Sequence, residues 1–393
     1  MGAGMALSGT VRILCIAGTR PEAIKLAPIL LAAASRDDLN CRLCATGQHE
    51  ALFDEALEDF GLMPDIRLAP LLHDPSPNVM IARFADAIEP VLMAERPDIV
   101  LVQGDTNSAY AGALAAYRLA IPVGHVEAGL RSHDFDQPWP EERNRVMIDR
   151  LADLLFAPTP ESAANLEFER EVVKGRCLIT GNTGIDSLLT MRSRLPLERP
   201  MGERALLLLT CHRRENIGAG IEAICAAALR LADRGDIDIL CPVHPNPAVG
   251  DTVRRLLGDH PSIKLTGALR YRDAVMAMAH ARLILTDSGG IQEEAPALGT
   301  PVLVLREVTE RPEGIASGNL LLVGTDTDRI VAEAGRLLDD PALHMAMARP
   351  SFPFGGGDAS VKILDAIEQY FSSGPPDDHP LPFARTWIMD GAR

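Results

Sequence analysis

Aromatic residues make up only 4% of the 393 positions, so the packing has to come from Ala, Leu, Ile and Val, for which a hydrophobic content of 47% is ample. Basic residues are also in deficit: 38 Lys and Arg against 54 Asp and Glu leave a net charge of −16. A chain so acidic is a poor partner for nucleic acid or an anionic membrane, both of which call for a basic face. A small anionic ligand stays open, because a few arginines in a cleft set the local field.

No apolar run approaches the roughly 20 residues of a membrane span. The opening "MGAGMALSGT" has neither the basic n-region nor the apolar h-region of a secretory signal, and Ala6 stands where a myristoylation motif wants Ser or Thr. The seven cysteines are odd in number and scattered, which reads as reduced thiols in a cytoplasmic protein. "CRLC" at 41–44 has no second pair to complete a zinc site and reads as strand packing. Neither a Walker sequence nor a GxGxxG after the first strand is present, so a bound NAD is not supported, and no residues have metal-ligand spacing. No cofactor is expected.

What the chain does have is alternation. Short Leu- or β-branched-rich runs at 11–18, 41–47, 98–105, 121–129 and 154–159, then at 206–212, 238–245, 262–267, 282–290 and 301–307, are separated by Ala-rich amphipathic stretches. Continuous apolar strands between helices predict parallel sheets covered on both faces, the doubly wound α/β class. The pattern restarts after a Pro/Arg/Gly-rich stretch at 195–204, which suggests two Rossmann-like domains. Their expected extents are 11–180 together with a final helix near 358–371, and 181–357. Residues 1–10 read as an extension and 372–393 as a weakly ordered tail.

Ligands of open parallel sheets bind beyond the carboxyl ends of the strands, so the residues that follow each strand matter most. They include Arg20 and Lys25 after the first, Asp105 after the third and Glu127 after the fourth, with Glu141 and Glu142 on the loop beyond. In the second half they are His212 with Arg213 and Arg214, His244, and the run "DSGGIQEE" at 287–294. Each has a plainer reading. Asp105 could cap a helix, either of Glu141 and Glu142 could serve only a helix N-terminus, and His244 could be a turn histidine. Glu127 follows an apolar strand, where an unpaired carboxylate is costly. Together, three carboxylates and a histidine suggest proton transfer, while the cations and a Gly-rich helix start suggest a phosphate ester.

The motifs "GTRPEAIKLAPIL", "VQGDTN", "IPVGHVEAGLRS", "PWPEERNR", "GNTGID", "HRREN", "PVHPNP" and "LTDSGGIQEEAPALGTPVLVLREVTERPEG" occur in that order. The set resembles the non-hydrolysing UDP-N-acetylglucosamine 2-epimerases over nearly the whole chain. The resemblance implies a glycosyltransferase-B-like fold, two Rossmann-like domains with a cleft between them, and a UDP-sugar as substrate. It implies Asp105, Glu127 and Glu141 as the carboxylates that handle protons, with His212 by the leaving group. Arg20, Lys25, His212 and Arg311 would neutralise phosphate, and Arg213 would also contact substrate. The amides of Ser288, Gly289 and Gly290 would meet the diphosphate, and Glu294 the ribose hydroxyls, with Glu293 left to the helix dipole or a supporting contact. Gln48, Arg213 and His244 match the residues with which bacterial members bind an activating second UDP-sugar, and a homodimer is the family's common state.

Two departures stand out. Ala274 occupies the place of an aromatic that packs on the base, leaving Tyr271 and Arg272 as the neighbouring groups, and Ala51 replaces a usual glutamine near the activator residues. The alternatives are a 2-epimerase of a modified sugar such as UDP-2,3-diacetamido-2,3-dideoxyglucuronate, a glycosyltransferase on the same fold, and a non-catalytic UDP-sugar sensor.

Overall fold

The computed structural model describes residues 10–69, 71, 74, 76–196 and 204–373. The N-terminal extension, most of the inter-domain stretch and nearly all of the C-terminal tail expected from the sequence lie outside the described residues. The chain divides into two compact units. The first runs to Ser187 and resumes at Gly355; the second is Leu188–Phe354.

The first unit is built on seven parallel strands: β1 (Val11–Ala17), β2 (Leu39–Ala45), β3 (Ile66–Arg67), β4 (Ile99–Gln103), β5 (Val123–Val126), β6 (Leu154–Ala157) and β7 (Arg176–Ile179). Their spatial order is β3-β2-β1-β4-β5-β6-β7. Both faces are covered. Ile13, Cys15 and Ala17 of β1 enter one apolar cluster, while Leu14 and Ile16 enter the other. Alternate residues of a strand point to opposite faces, so a strand buried on both sides has to be apolar throughout.

The second unit repeats the plan with β8 (Ala205–Thr210), β9 (Ile237–Pro242), β10 (Ile263–Thr266), β11 (Leu283–Thr286), β12 (Val302–Val304) and β13 (Leu320–Leu322), ordered β10-β9-β8-β11-β12-β13. Each of the ten strands expected from the sequence is found. β3, β7 and β13 were not expected. β3 has two residues, β13 three, and β7 is an edge strand with exposed Arg176 and Ile179, so none carries an apolar run of useful length.

"CRLC" forms part of β2, and its cysteines point to opposite faces: Cys44 packs in one cluster, while Cys41 lies against the other with its Sγ 3.6 Å from that of Cys15. Two such residues cannot share one metal ion. No helix among the described residues is long and apolar enough to cross a membrane.

The final helix, Ala359–Ser373, closes the first unit. Ile363, Leu364, Ile367 and Tyr370 join the cluster that contains Leu26, Ile29 and Leu30 of the helix Arg20–Ala33. Asp186 anchors the helix start, accepting the Ser360 amide at 2.8 Å and its hydroxyl at 2.5 Å. Leu364 is wholly buried, so Leu364→Ala should cost about 2–5 kcal/mol and lower the denaturant midpoint. Val361→Ala, at a site 45% exposed, should leave the midpoint unchanged. Equal midpoints for the two variants would show that this helix contributes little to the core.

Candidate active site

In each sheet the strand order reverses beside the first strand, between β1 and β4 in one unit and between β8 and β11 in the other. Crossover helices leave such a point on opposite faces, and the loops beyond the strand ends diverge to leave room for a ligand. The sequence-proposed residues gather at these two places.

In the first unit, a cavity of about 360 Å³ is lined by Lys25, Gln48, Gln103, Asp105, Glu127 and Glu141, among others. Lys25 lies in the first turns of the helix Arg20–Ala33, whose start is fixed by Glu22. This carboxylate is fully buried and accepts the amides of Gly18 at 2.9 Å and Thr19 at 2.7 Å and the Thr106 hydroxyl at 2.6 Å. Burial nevertheless pushes the Glu22 carboxyl above its ordinary value, against the lowering effect of those bonds. Gly18 has to be glycine, since a Cβ there would fall 1.9 Å from Thr46 Oγ1. Arg20, the first residue of the helix, does not line the cavity.

Glu127 follows β5 with φ of +73°, a left-handed conformation that costs a non-glycine residue about 1–3 kcal/mol. Its amide and that of Ala128 both donate to the Phe156 carbonyl at 3.1 Å, which holds the turn. The carboxylate receives a bond from Lys25 Nζ and another, of 2.6 Å, from Gln103 Nε2. Lys25, expected to face phosphate, thus sits against a carboxylate.

Asp105 is not a helix cap. Thr106 fills that role, its hydroxyl accepting the Ala109 amide at 3.0 Å. The Asp105 carboxylate is instead paired with Arg145, which also reaches Glu142 at 3.2 Å. Asn144 donates to the Asp105 carbonyl at 2.9 Å. Below the loop, fully buried His125 sets Nε2 2.8 Å from the Gly104 carbonyl and Nδ1 2.6 Å from Asp149. Burial opposes ionisation of Asp149, but His125 and Arg131 outweigh it and hold the carboxyl below its ordinary value.

Glu141 and Glu142 open the helix Glu141–Leu151 and have separate tasks. Glu141 lines the cavity. Glu142 does more than favour a helix N-terminus: it is buried and accepts the amides of Ser132 at 3.0 Å and His133 at 3.1 Å. Gln48 lines the same cavity and accepts the Ser108 hydroxyl at 2.6 Å.

In the second unit, Thr210 at the end of β8 is in register with Thr286 of β11, and their hydroxyls bond at 2.5 Å. That register brings His212 and Arg213 against Asp287. The Asp287 carboxylate accepts the His212 amide at 2.9 and 3.1 Å, the Arg213 amide at 2.9 Å and Asn216 Nδ2 at 2.9 Å. His212 Nδ1 lies 3.2 Å from Asp287 Oδ1, and its ring stacks on that of His244. Burial, reinforced by Arg306 and Arg311, lowers the Arg213 guanidinium below its ordinary value.

Ser288 caps the helix Gly289–Leu298 with its backbone alone, and its amide donates to Thr286 Oγ1 at 3.0 Å. Of the three amides proposed for diphosphate, that of Ser288 is therefore already engaged. A Cβ on Gly289 would meet the Arg311 guanidinium at 2.8 Å, so a larger residue there would make this cation shift away from the helix start. Arg311 is steered there by Glu293, which accepts its Nε at 2.9 Å and Nη2 at 2.8 Å. Glu293 thus has a supporting contact with Arg311. Arg306 and Arg311 together hold the Glu310 carboxyl down to about 2, although burial works in the other direction.

Glu294 accepts the Tyr271 hydroxyl at 3.0 Å. The Tyr271 ring is only 4% exposed, so it does not replace the aromatic missing at Ala274 as a surface for a base.

Gln103, Asn144, Arg145 and Asp287 were not singled out from the sequence. For Arg145 a signal existed, since it stands one helical turn after Glu141, where side chains share a face. Asp287 precedes the Ser-Gly-Gly turn, whose own signal is the stronger one in the sequence. Gln103 and Asn144 carried no local signal. Among the described residues, no group of three His, Cys, Asp or Glu side chains is placed to hold a metal ion.

Comparison with known proteins agrees with this picture. Residues 32–368 match the family described as UDP-N-acetylglucosamine 2-epimerase. The UDP-N-acetylglucosamine 2-epimerase of Escherichia coli O157:H7 is 44% identical over 371 residues, spanning 91% of this chain and 98% of the relative. The crystal structure of UDP-GlcNAc 2-epimerase from Neisseria meningitidis bound to UDP-GlcNAc superposes with a TM-score of 0.85 at 37% identity, covering 91% of this chain and 100% of that one. Sucrose-phosphate synthase of Thermosynechococcus elongatus, at 17% identity and a TM-score of 0.61 over 93% of this chain and all of that one, shares the fold alone. The architecture is glycosyltransferase-B-like, and the chain belongs to the UDP-N-acetylglucosamine 2-epimerase family of isomerases.

Proposed function

We propose that the protein interconverts UDP-N-acetylglucosamine and UDP-N-acetylmannosamine by elimination and re-addition of UDP. The observation that carries this reading is the convergence of Asp105, Glu127 and Glu141 on one cavity with Lys25. The hydrogen on C2 is not acidic, so a carboxylate can remove it only if the electron pair left behind has somewhere to go. Loss of UDP from C1 provides this: the C2–H and C1–O bonds break, a C1=C2 double bond forms, and 2-acetamidoglucal is held. Protonation of C2 on the opposite face and return of UDP to C1 give the epimer. The sequence requires a base on one face, an acid on the other and stabilisation of the departing diphosphate, and it requires no redox cofactor.

Three carboxylates in different settings suit this division. Glu127 is paired with a lysine and a glutamine, and Asp105 with an arginine, while Glu141 sits at a helix start. Different surroundings let one carboxyl hold a proton while another gives one up. The diphosphate is held at the helix start at Gly289 and Gly290 with Arg311 and His212, a site where amides and helix dipole both favour an anion. Arg213 adds positive charge. Glu294, oriented by Tyr271, accepts the ribose hydroxyls.

Proton NMR in D₂O tests the reaction directly: UDP-GlcNAc should yield UDP-ManNAc carrying deuterium at C2. Accumulation of free UDP and ManNAc would mean hydrolysis instead, and an unchanged sugar would redirect the search to a modified substrate. Asp105→Asn, Glu127→Gln and Glu141→Gln should each lower kcat by roughly 10²–10⁴-fold with folding intact. If all three retain full turnover, proton transfer lies elsewhere. Glu294→Gln should act mainly on KM, raising it about 10- to 100-fold, since a charge-assisted bond is worth about 1.5–3 kcal/mol.

A further inference from the structure

His212 and His244 stack with ring centroids 5.3 Å apart and planes inclined by 14°. Their hydrogen bonds distinguish the two. His244 Nδ1 accepts the backbone N–H of Asn246 at 3.2 Å, which it can do only while that nitrogen is unprotonated. His212 Nδ1 faces Asp287 Oδ1 at 3.2 Å. An ionised carboxylate only accepts, so a hydrogen bond across this contact requires the proton on Nδ1 of His212.

The carboxylate has little freedom to do otherwise. Asp287 is fully buried, and the amides of His212 and Arg213 with Asn216 Nδ2 supply donors to both of its oxygens. Burial works against its ionisation, yet the bond from His212 and these donors outweigh it and keep the carboxyl below its ordinary value. Burial and the neighbouring His212 lower the His244 imidazole below its ordinary value, outweighing Asp287, which acts to raise it.

We propose that Asp287 is a positioning residue that keeps the proton of His212 on Nδ1, while His244, whose Nδ1 is taken by the Asn246 amide, carries its proton on Nε2. Nε2 of His212 is then the nitrogen available to substrate. Protonated, it donates to a diphosphate oxygen as the C1–O bond breaks; once neutral, it accepts. This inference rests on the reading of His212 as the group at the leaving diphosphate. Its chemistry comes from the carboxylate behind the ring, as in other Asp–His pairs where a carboxylate sets the tautomer.

Long-range proton–nitrogen correlation of the ¹⁵N-labelled full chain reads both rings, with assignments from His212→Gln and His244→Gln. His212 should show a protonated Nδ1, and His244 a bare Nδ1 with the proton on Nε2. A bare Nδ1 on His212, or a doubly protonated His244 at neutral pH, would overturn the proposal. Kinetics supply a second arm. Asp287→Asn should lower kcat about 10²-fold with KM nearly constant, but in a His212→Ala background it should cost less than about threefold, because the group it positions is gone. Equal losses in both backgrounds would mean that Asp287 only ties the loop together. If Asp287→Asn does not fold, the spectra of the unaltered protein decide. A His212→Ala enzyme with full turnover would remove His212 from the reaction, a failure of the functional reading that leaves the measured tautomers to be judged separately.

Discussion

In a doubly wound sheet the first strand is flanked by the second on one side and the fourth on the other, and the helices that connect them cross on opposite faces. In this protein β1 lies between β2 and β4, and β8 between β9 and β11. The loops leaving β1 and β4, or β8 and β11, therefore run apart, and the ends of those strands are open. Parallel strands also align their carboxyl ends, so residues from distant parts of the chain meet there. Asp287 is 75 residues from His212 in sequence, and the register of Thr286 with Thr210 makes them neighbours. The second unit's chemistry depends on that pairing, and the first unit's on the pairing of β4 with β1 and β5.

The same topology carries different chemistry in the two units. The first presents carboxylates around a cavity of its own, with Lys25 and Gln103 on Glu127 and Arg145 on Asp105. The second presents amides, arginines and histidines, with carboxylates mostly behind them: Glu293 and Glu310 steer Arg311, and Asp287 lies behind His212. An acidic chain can thus offer an anion site, because its negative charges support the cations locally.

These sites depend on buried polar networks that add little stability on balance. Removing one member of a buried ion pair typically costs about 3–5 kcal/mol, whereas replacing the whole pair by apolar residues can be neutral. The set of His125, Asp149, Arg131 and Glu169 beneath the Asp105 loop is of this kind. It contributes a fixed position for the Gly104 carbonyl, and so for the residue that follows. The strained backbone at Glu127 belongs to the same economy: an uncommon conformation persists because the amides of Glu127 and Ala128 and the side chains of Lys25 and Gln103 all bind it.

The α/β class, the restart into a second sheet and ten of the strands are legible in the sequence alone, because burial on both faces of a parallel sheet imposes long apolar runs that are visible locally. The sequence also marked Asp105, Glu127, Glu141, His212 and the Ser-Gly-Gly turn, since polar residues directly after apolar strands can be read without knowing the fold. The short strands β3, β7 and β13 were not legible, as two to four residues at or near a sheet edge leave no periodic signal. What required the folded chain is that Thr106 rather than Asp105 caps a helix, that buried Glu142 accepts the amides of Ser132 and His133, and that Tyr271 is buried behind Glu294. The tertiary structure alone paired Arg145 with Asp105 and Asp287 with His212. The reason is physical: a side chain's type and neighbours in sequence set its propensity, but its charge, tautomer and orientation come from partners that strand register and helix packing bring from elsewhere in the chain.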